Sequence, residues 1–245
     1  MKNRMYEDTK TWNPFKGCLF DCVYCRPSFQ QQAKRQKNNC TDCYNYVPHY
    51  HPERLNKIPS ASIIFVCGNS DVSFCRKAYM LEIIEAIKKQ NKRRIEAIKK
   101  QYKRIPKKKT YFFQSKRPKY FEPFLSELPA NAIILTTLET NRDEGYRQIS
   151  KAPLPTVRYE QFKNLDYPRK VVTIEPVLDF DLDVFVDWIK TINPEYVWLG
   201  YNSKPEQVQM PEPDEEKMVR FIAEIEKNNI PIKAKDLRNL NNRIQ

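Results

Sequence analysis

Gly17-Cys18-Leu19-Phe20-Asp21-Cys22-Val23-Tyr24-Cys25 sets three thiols within eight residues, a C-x3-C-x2-C run. One loop can wrap all three around a single metal centre. A cubane iron–sulfur cluster has four irons, each wanting a thiolate, so three cysteines leave one iron open for substrate chemistry. The competing assignment is zinc, but this is not an ordinary zinc spacing, and zinc would need a fourth ligand. The run follows a short strand candidate at Lys10–Trp12 and precedes a long alternation of strand and helix patterns.

Strand candidates in that alternation are Ile63–Cys67, Tyr111–Gln114, Ala132–Thr137, Val171–Ile174 and Tyr196–Leu199, with a weaker one at Pro231–Lys235. Helical patterns lie at Lys77–Arg104, Lys119–Leu128, Leu182–Ile192 and Asp214–Asn228. Runs rich in β-branched residues, separated by helices, imply βαβ units and a parallel sheet. The chain has four glycines and neither a P-loop nor a G-x-G-x-x-G fingerprint, which disfavours a dinucleotide-binding sheet. The expected fold is therefore α/β, a partial (β/α) barrel of about six parallel strands. No linker divides it, so 1–245 reads as a single domain, with the cysteine- and histidine-containing segment in 1–60 and a long basic helix within 77–109.

Function in such folds gathers at the C-terminal ends of the strands. Gly68-Asn69-Ser70-Asp71 follows the second strand candidate, Ser115 and Lys116 the third, and Glu139 and Thr140 the fourth. Glu175 and Pro176 follow the fifth, and Tyr201, Asn202 and Ser203 the sixth. Loops are polar anyway, so each residue alone says little. The recurrence at every strand end points to a site there.

The net charge of +13 is unevenly placed. Between Lys88 and Lys109 there are twelve Lys/Arg and one acid, Glu96, leaving about +2 for the rest of the chain. Ile84–Arg94 and Ile95–Ile105 agree at nine of eleven positions, a tandem repeat of nearly three helical turns. Ile84, Ile87, Ile95 and Ile98 would form its apolar stripe, and Pro106 would end the helix. Two readings stand: a solvated helix lengthened by duplication, or an arm that contacts nucleic-acid phosphates.

Four cysteines remain, Cys40, Cys43, Cys67 and Cys75. They could hold a second metal, or Cys40 and Cys43 could join His49 and His51, the only histidines, in a Cys2His2 set. Against this, Cys67 could be a small buried hydrophobe and Cys40-Thr41-Asp42-Cys43 a mere loop. No apolar run approaches the length of a membrane span, and the first residues lack a secretory apolar stretch. A cytoplasmic location with reduced thiols is the expectation, without a membrane partner.

At its cysteines the sequence resembles the radical S-adenosylmethionine superfamily, including the aromatic Tyr24 before the last cysteine. Thr11-Trp12-Asn13-Pro14, His51-Pro52-Glu53-Arg54-Leu55, Ser70-Asp71 and Thr173-Ile174-Glu175-Pro176 extend the likeness to a phage- and archaea-associated branch. The resemblance implies that Cys18, Cys22 and Cys25 ligate a [4Fe-4S] cluster whose open iron chelates S-adenosyl-L-methionine. It implies reductive cleavage to a 5′-deoxyadenosyl radical and an electron donor of reductase, flavodoxin or ferredoxin type. Tyr24 would pack near the adenine, and Gly68, Asn69, Ser70 and Asp71 would stand where the superfamily receives the methionine amino group. One glycine replaces two there, and Asp replaces Glu. Thr137, Glu139 and Thr140 would face the ribose, and Glu175 the cofactor or substrate. The resemblance settles no substrate; the basic helix and the supply of aromatics (14 Tyr, 13 Phe and 3 Trp) suggest nucleic acid or a nucleotide. The rivals are a non-catalytic, zinc-stabilised nucleic-acid-binding protein and a radical-type fold without activity.

Overall fold

The computed structural model describes residues 8–101, 109–234 and 237. Nine strands occur among them: β1 (Thr9–Trp12), β2 (Phe15–Lys16), β3 (His49–Tyr50), β4 (Ile63–Val66), β5 (Thr110–Gln114), β6 (Ala132–Thr137), β7 (Lys170–Ile174), β8 (Tyr196–Leu199) and β9 (Ile232–Ala234). The helices are α1 (Gln31–Ala33), α2 (Thr41–Asn45), α3 (Lys77–Gln101), α4 (Tyr146–Ile149), α5 (Pro155–Lys163), α6 (Leu182–Ile192) and α7 (Glu215–Lys227).

Seven strands form one sheet in the order β1-β4-β5-β6-β7-β8-β9, every pair parallel. Chain order and sheet order coincide, so all seven C-terminal ends lie along one edge. Both outlying strand candidates are strands, giving seven rather than about six. β2 and β3 pair separately and antiparallel, Phe15 with Tyr50 and Lys16 with His49. Two-residue strands carry no period, and the pattern does not announce them.

Alternation along the strands sorts their side chains onto two faces. Ile64, Val66, Tyr111, Phe113, Ile134, Val172, Ile174, Val197 and Leu199 pack against Met80, Ile83, Ile84 and Ile87 of α3, Phe185 and Ile189 of α6, and Phe221 and Ile225 of α7. Phe112, Ile133, Leu135, Val171, Tyr196 and Trp198 form a smaller cluster on the opposite face. By the same alternation Gln114, Thr137 and Thr173 continue that face toward the C-terminal edge. Its lining thus turns from apolar to polar at the mouth, and Gln114 Nε2 donates to Thr137 Oγ1 at 2.9 Å.

Local chemistry explains the helix ends. Asp214 caps α7, accepting from the Lys217 backbone N–H at 2.7 Å, with Glu215 and Glu216 in the first turn. α6 stops at Asn193, which adopts the left-handed conformation at φ 48°. The pattern at Lys119–Leu128 forms instead a 3-10 helix over Pro118–Phe124, with Pro123 inside it withholding a backbone donor. α5 has no strong apolar stripe, although Tyr159 and Phe162 are buried.

α3 bears out the long helix from Lys77. Its apolar stripe holds only in the first repeat, since Ile84 and Ile87 are buried whereas Ile95 is 54% exposed. Ile98, Pro106 and the end of the second repeat fall where side chains or placement are not described. No helix among the described residues is long and apolar enough to cross a membrane.

Candidate functional site at the C-terminal edge of the sheet

The three-cysteine loop begins where β2 ends. Gly17, at φ 90°, passes so close to Val47 that a Cβ would lie 2.0 Å from the Val47 carbonyl oxygen. Its N–H donates to the Asn69 carbonyl at 3.1 Å, and it forms a parallel bridge with Ser70. The loop and the turn after β4 are therefore stitched together. The Asn69 N–H donates to Asn13 Oδ1 at 3.1 Å, which ties the same turn to the Thr11-Trp12-Asn13-Pro14 stretch. The Cys18 N–H donates to the Tyr46 carbonyl at 3.1 Å.

Cys22 is buried, and Cys18 and Cys25 pack around it with Phe20, Tyr24, Phe74 and Ala152. None forms a disulfide. Donors face each sulfur. The Phe20 N–H donates to Cys18 at 3.4 Å, Lys116 Nζ to Cys22 at 3.5 Å, and Ser150 Oγ lies 3.0 Å from Cys22. The Tyr46 side chain and the Gln30 and Phe29 backbones act to lower the Cys25 pKa. Burial, then the Cys22 charge, nonetheless pushes the Cys25 thiol up to about 12, and burial with Asp71 pushes Cys18 well up.

Glu139 is the electrostatic hub beside this loop. It is wholly buried, and Arg158 Nη1 reaches its Oε2 at 2.7 Å. Lys116, Tyr24 and, at 3.1 Å, Tyr146 converge on Oε1. Burial opposes ionisation, but Arg158 and Lys116 overcome it and hold the carboxyl at about 2. Arg158 also donates to the Thr137 carbonyl at 2.5 Å, while its Nε and Nη2 have no hydrogen-bond partner among the described residues. The buried Thr173 hydroxyl is likewise without one.

The other predicted residues fall at the same edge with varied engagements. Asp71 accepts from the Ser115 hydroxyl at 2.6 Å, the Lys116 N–H at 2.7 Å and the Ser73 N–H at 2.9 Å, locking the end of β4 to that of β5. Ser70 donates to the Cys67 carbonyl at 2.7 Å, and Gly68 packs within 2.8 Å of the Thr11 methyl as measured from an added Cβ. Thr140 donates to the Asp179 carbonyl at 2.6 Å. Glu175 accepts from Trp198 Nε1 at 2.6 Å and precedes Pro176 through a cis peptide.

The remaining cysteines separate. Cys67 and Cys75 are buried in the main core, where burial pushes the Cys75 thiol up to about 12. Cys40 and Cys43 join His49 and His51 instead, and the four ligand atoms lie within 4.8 Å of one another. The sequence reading left this pairing open and missed Arg158, Tyr146 and Ser150 entirely. Arg158 lies on the weakly patterned α5, and nothing local marks it as the partner of Glu139.

Solved structures of spore photoproduct lyase share this fold. A cysteine-to-serine variant of that lyase aligns with a TM-score of 0.56 at 11% identity, covering 92% of this chain and 76% of the other. The lyase complexed with dinucleoside spore photoproduct aligns with a TM-score of 0.54 at 9% identity and the same coverage, 92% and 76%. At such identity the likeness establishes architecture alone: an α/β half-barrel with a seven-stranded parallel sheet. No protein-family model and no curated protein matches the chain.

Proposed function

We propose that this chain is a radical S-adenosylmethionine enzyme, with Cys18, Cys22 and Cys25 as the ligands of a [4Fe-4S] cluster at the mouth of the half-barrel. The observation that carries this reading is the gathering of three free thiols, Cys18, Cys22 and Cys25, around one small cluster beside the strand ends. When reduced, the cluster supplies the electron that splits S-adenosylmethionine into methionine and a 5′-deoxyadenosyl radical, which takes a hydrogen atom from substrate.

The residues around the loop have matching tasks in this reading. The turn from Gly68 to Asp71 offers its backbone to the methionine end of the cofactor, held in place by the Gly17–Asn69 bond. Gln114, Thr137 and Thr173 form the polar band suited to ribose hydroxyls. Glu139 is already engaged by four side chains, so its part is to fix Lys116 beside Cys22 and Tyr24 across the mouth rather than to bind ribose. The spare Arg158 nitrogens and the Thr173 hydroxyl are buried donors and acceptors that a polar cofactor would satisfy. Glu175, on the far side of the band, is held by Trp198 Nε1 and would face cofactor or substrate from there.

Anaerobic reconstitution with iron and sulfide tests the cluster. Wild-type protein should take up about four irons per chain, and the triple Cys18→Ala, Cys22→Ala, Cys25→Ala variant should not. A wild-type chain that binds no iron overturns the reading.

For the substrate we propose nucleic acid or a nucleotide, on the strength of the basic stretch over residues 88–109, whose described part lies on α3. Binding to RNA and DNA over a salt series should weaken steeply as salt rises. No binding at low salt removes that substrate class.

A further inference from the structure

We propose that Cys40, Cys43, His49 and His51 bind one zinc(II) ion, and that this ion staples the segment against which the three-cysteine loop is built. The proposal stands apart from the radical reading, since it uses none of the same ligands.

The donor atoms converge as a single ion requires. Cys43 Sγ lies 3.1 Å from His49 Nε2 and 3.2 Å from His51 Nε2, Cys40 Sγ lies 3.6 Å from His49 Nε2, and the two Nε2 atoms are 2.8 Å apart. A tetrahedron drawn at ordinary zinc–sulfur and zinc–nitrogen lengths has edges of about 3.3–3.8 Å. Donors held this close enclose one ion and leave no room for a multinuclear cluster.

The second ring nitrogens decide which way the lone pairs point. His49 Nδ1 lies 2.7 Å from the Val47 carbonyl, so it carries the proton and donates it there. His51 Nδ1 lies 2.9 Å from Glu53 Oε1 and does the same. Both Nε2 atoms then present bare lone pairs to each other and to the sulfurs. Lone pairs aimed at one point repel unless a cation or the thiol protons sit between them, and a bound cation satisfies all four at once. A carboxylate or carbonyl on the outer nitrogen is also the usual support of a zinc-bound histidine. Lys16 Nζ, itself buried, donates to Cys43 Sγ at 3.2 Å.

Local architecture delivers these ligands from two pieces. Cys40 is the N-cap of α2, accepting from the Cys43 N–H at 3.4 Å, so the C-x2-C pair straddles one helical start. His49 and His51 are two residues apart on an extended chain and share a face. Two thiolates, two imidazoles and a divalent ion are electrically neutral together, and the mixed sulfur–nitrogen set suits zinc.

The segment needs such a staple. Among residues 34–50 only Cys43 is buried, so there is almost no apolar core to order it. Yet it carries the Tyr46 carbonyl that receives the Cys18 N–H and the Val47 carbonyl against which Gly17 is packed. The His51 N–H also donates to the Pro14 carbonyl at 2.7 Å, closing the segment onto the start of the loop.

Metal analysis of the purified full chain tests this. About one zinc per chain is expected, retained when Cys18, Cys22 and Cys25 are all changed to Ala. Cobalt(II) added to zinc-stripped protein should give the intense visible absorption of a tetrahedral thiolate site, which Cys43→Ser should abolish. Glu53→Gln changes an exposed side chain and should lower zinc affinity by roughly 10–100-fold in chelator competition. Stripping the metal should also speed amide exchange at Gly17 and Cys18. Absence of zinc with only a pale octahedral cobalt spectrum overturns the site, as does an unchanged affinity in Cys43→Ser. Unaltered exchange at Gly17 and Cys18 after stripping overturns the staple.

Discussion

Arg158 Nη1 lies 2.7 Å from Glu139 Oε2, and neither side chain has any exposure to solvent. The pair joins the fifth helix to the end of β6 beside the three-cysteine loop. Breaking a buried pair leaves one charge uncompensated, at a cost of about 3–5 kcal/mol. Glu139→Gln, read by denaturant unfolding, should show that loss.

The same carboxyl makes stability depend on acid. Its pKa is held at about 2 in the folded chain, below the ordinary carboxylate value, by Arg158 and Lys116 against the opposing effect of burial. A depressed folded value means that the stabilisation is fully present above the unfolded pKa and disappears as pH falls from there through the folded one. On the order of 3 kcal/mol should be lost across that window. The Glu139→Gln variant should lack this part of the acid slope in pH-dependent unfolding.

Gly17 and Gly145 make a controlled comparison. Both have positive φ, 90° and 69°, but an added Cβ meets the Val47 carbonyl at 2.0 Å at Gly17 and nothing within 4 Å at Gly145. Gly145→Ala should cost only the conformational strain, roughly 1–2 kcal/mol. Gly17→Ala adds a backbone clash and should displace the loop, so that iron uptake falls while Gly145→Ala retains it. Equal uptake by both variants would contradict the placement of Gly17.

The two copies of the duplicated helix open differently: the first is packed, and the isoleucine that begins the second is exposed. Ile87 is fully buried and Ile95 is 54% exposed. Ile87→Ala should cost about 2–5 kcal/mol of unfolding free energy, and Ile95→Ala within about 0.5 kcal/mol of zero. Comparable losses at both sites would mean that the second copy is packed as the first is.

How far the sequence could be read depends on the range of the signal. The seven parallel strands follow from short β-branched runs such as Ile63–Val66 and Val171–Ile174, each a local pattern. The three cysteines are recognisable because their ligand spacing is also local. Long-range pairing leaves no such trace: Glu139 and Arg158 are nineteen residues apart, and α5 has no apolar stripe to reveal which way Arg158 points. The Cys2His2 set could be named as an option, but choosing it over Cys67 and Cys75 required the antiparallel pairing of Lys16 with His49. The helix expected at Lys119–Leu128 failed for the opposite reason, an apparent helical period interrupted by Pro123.

Cleavage of S-adenosylmethionine by the reconstituted, chemically reduced protein tests the central claim most directly. Under anaerobic conditions wild type should release 5′-deoxyadenosine and methionine, and the Cys18→Ala, Cys22→Ala, Cys25→Ala variant should release neither. An iron-loaded wild-type chain that leaves S-adenosylmethionine intact under reduction, or a triple variant that cleaves it equally well, would contradict the account.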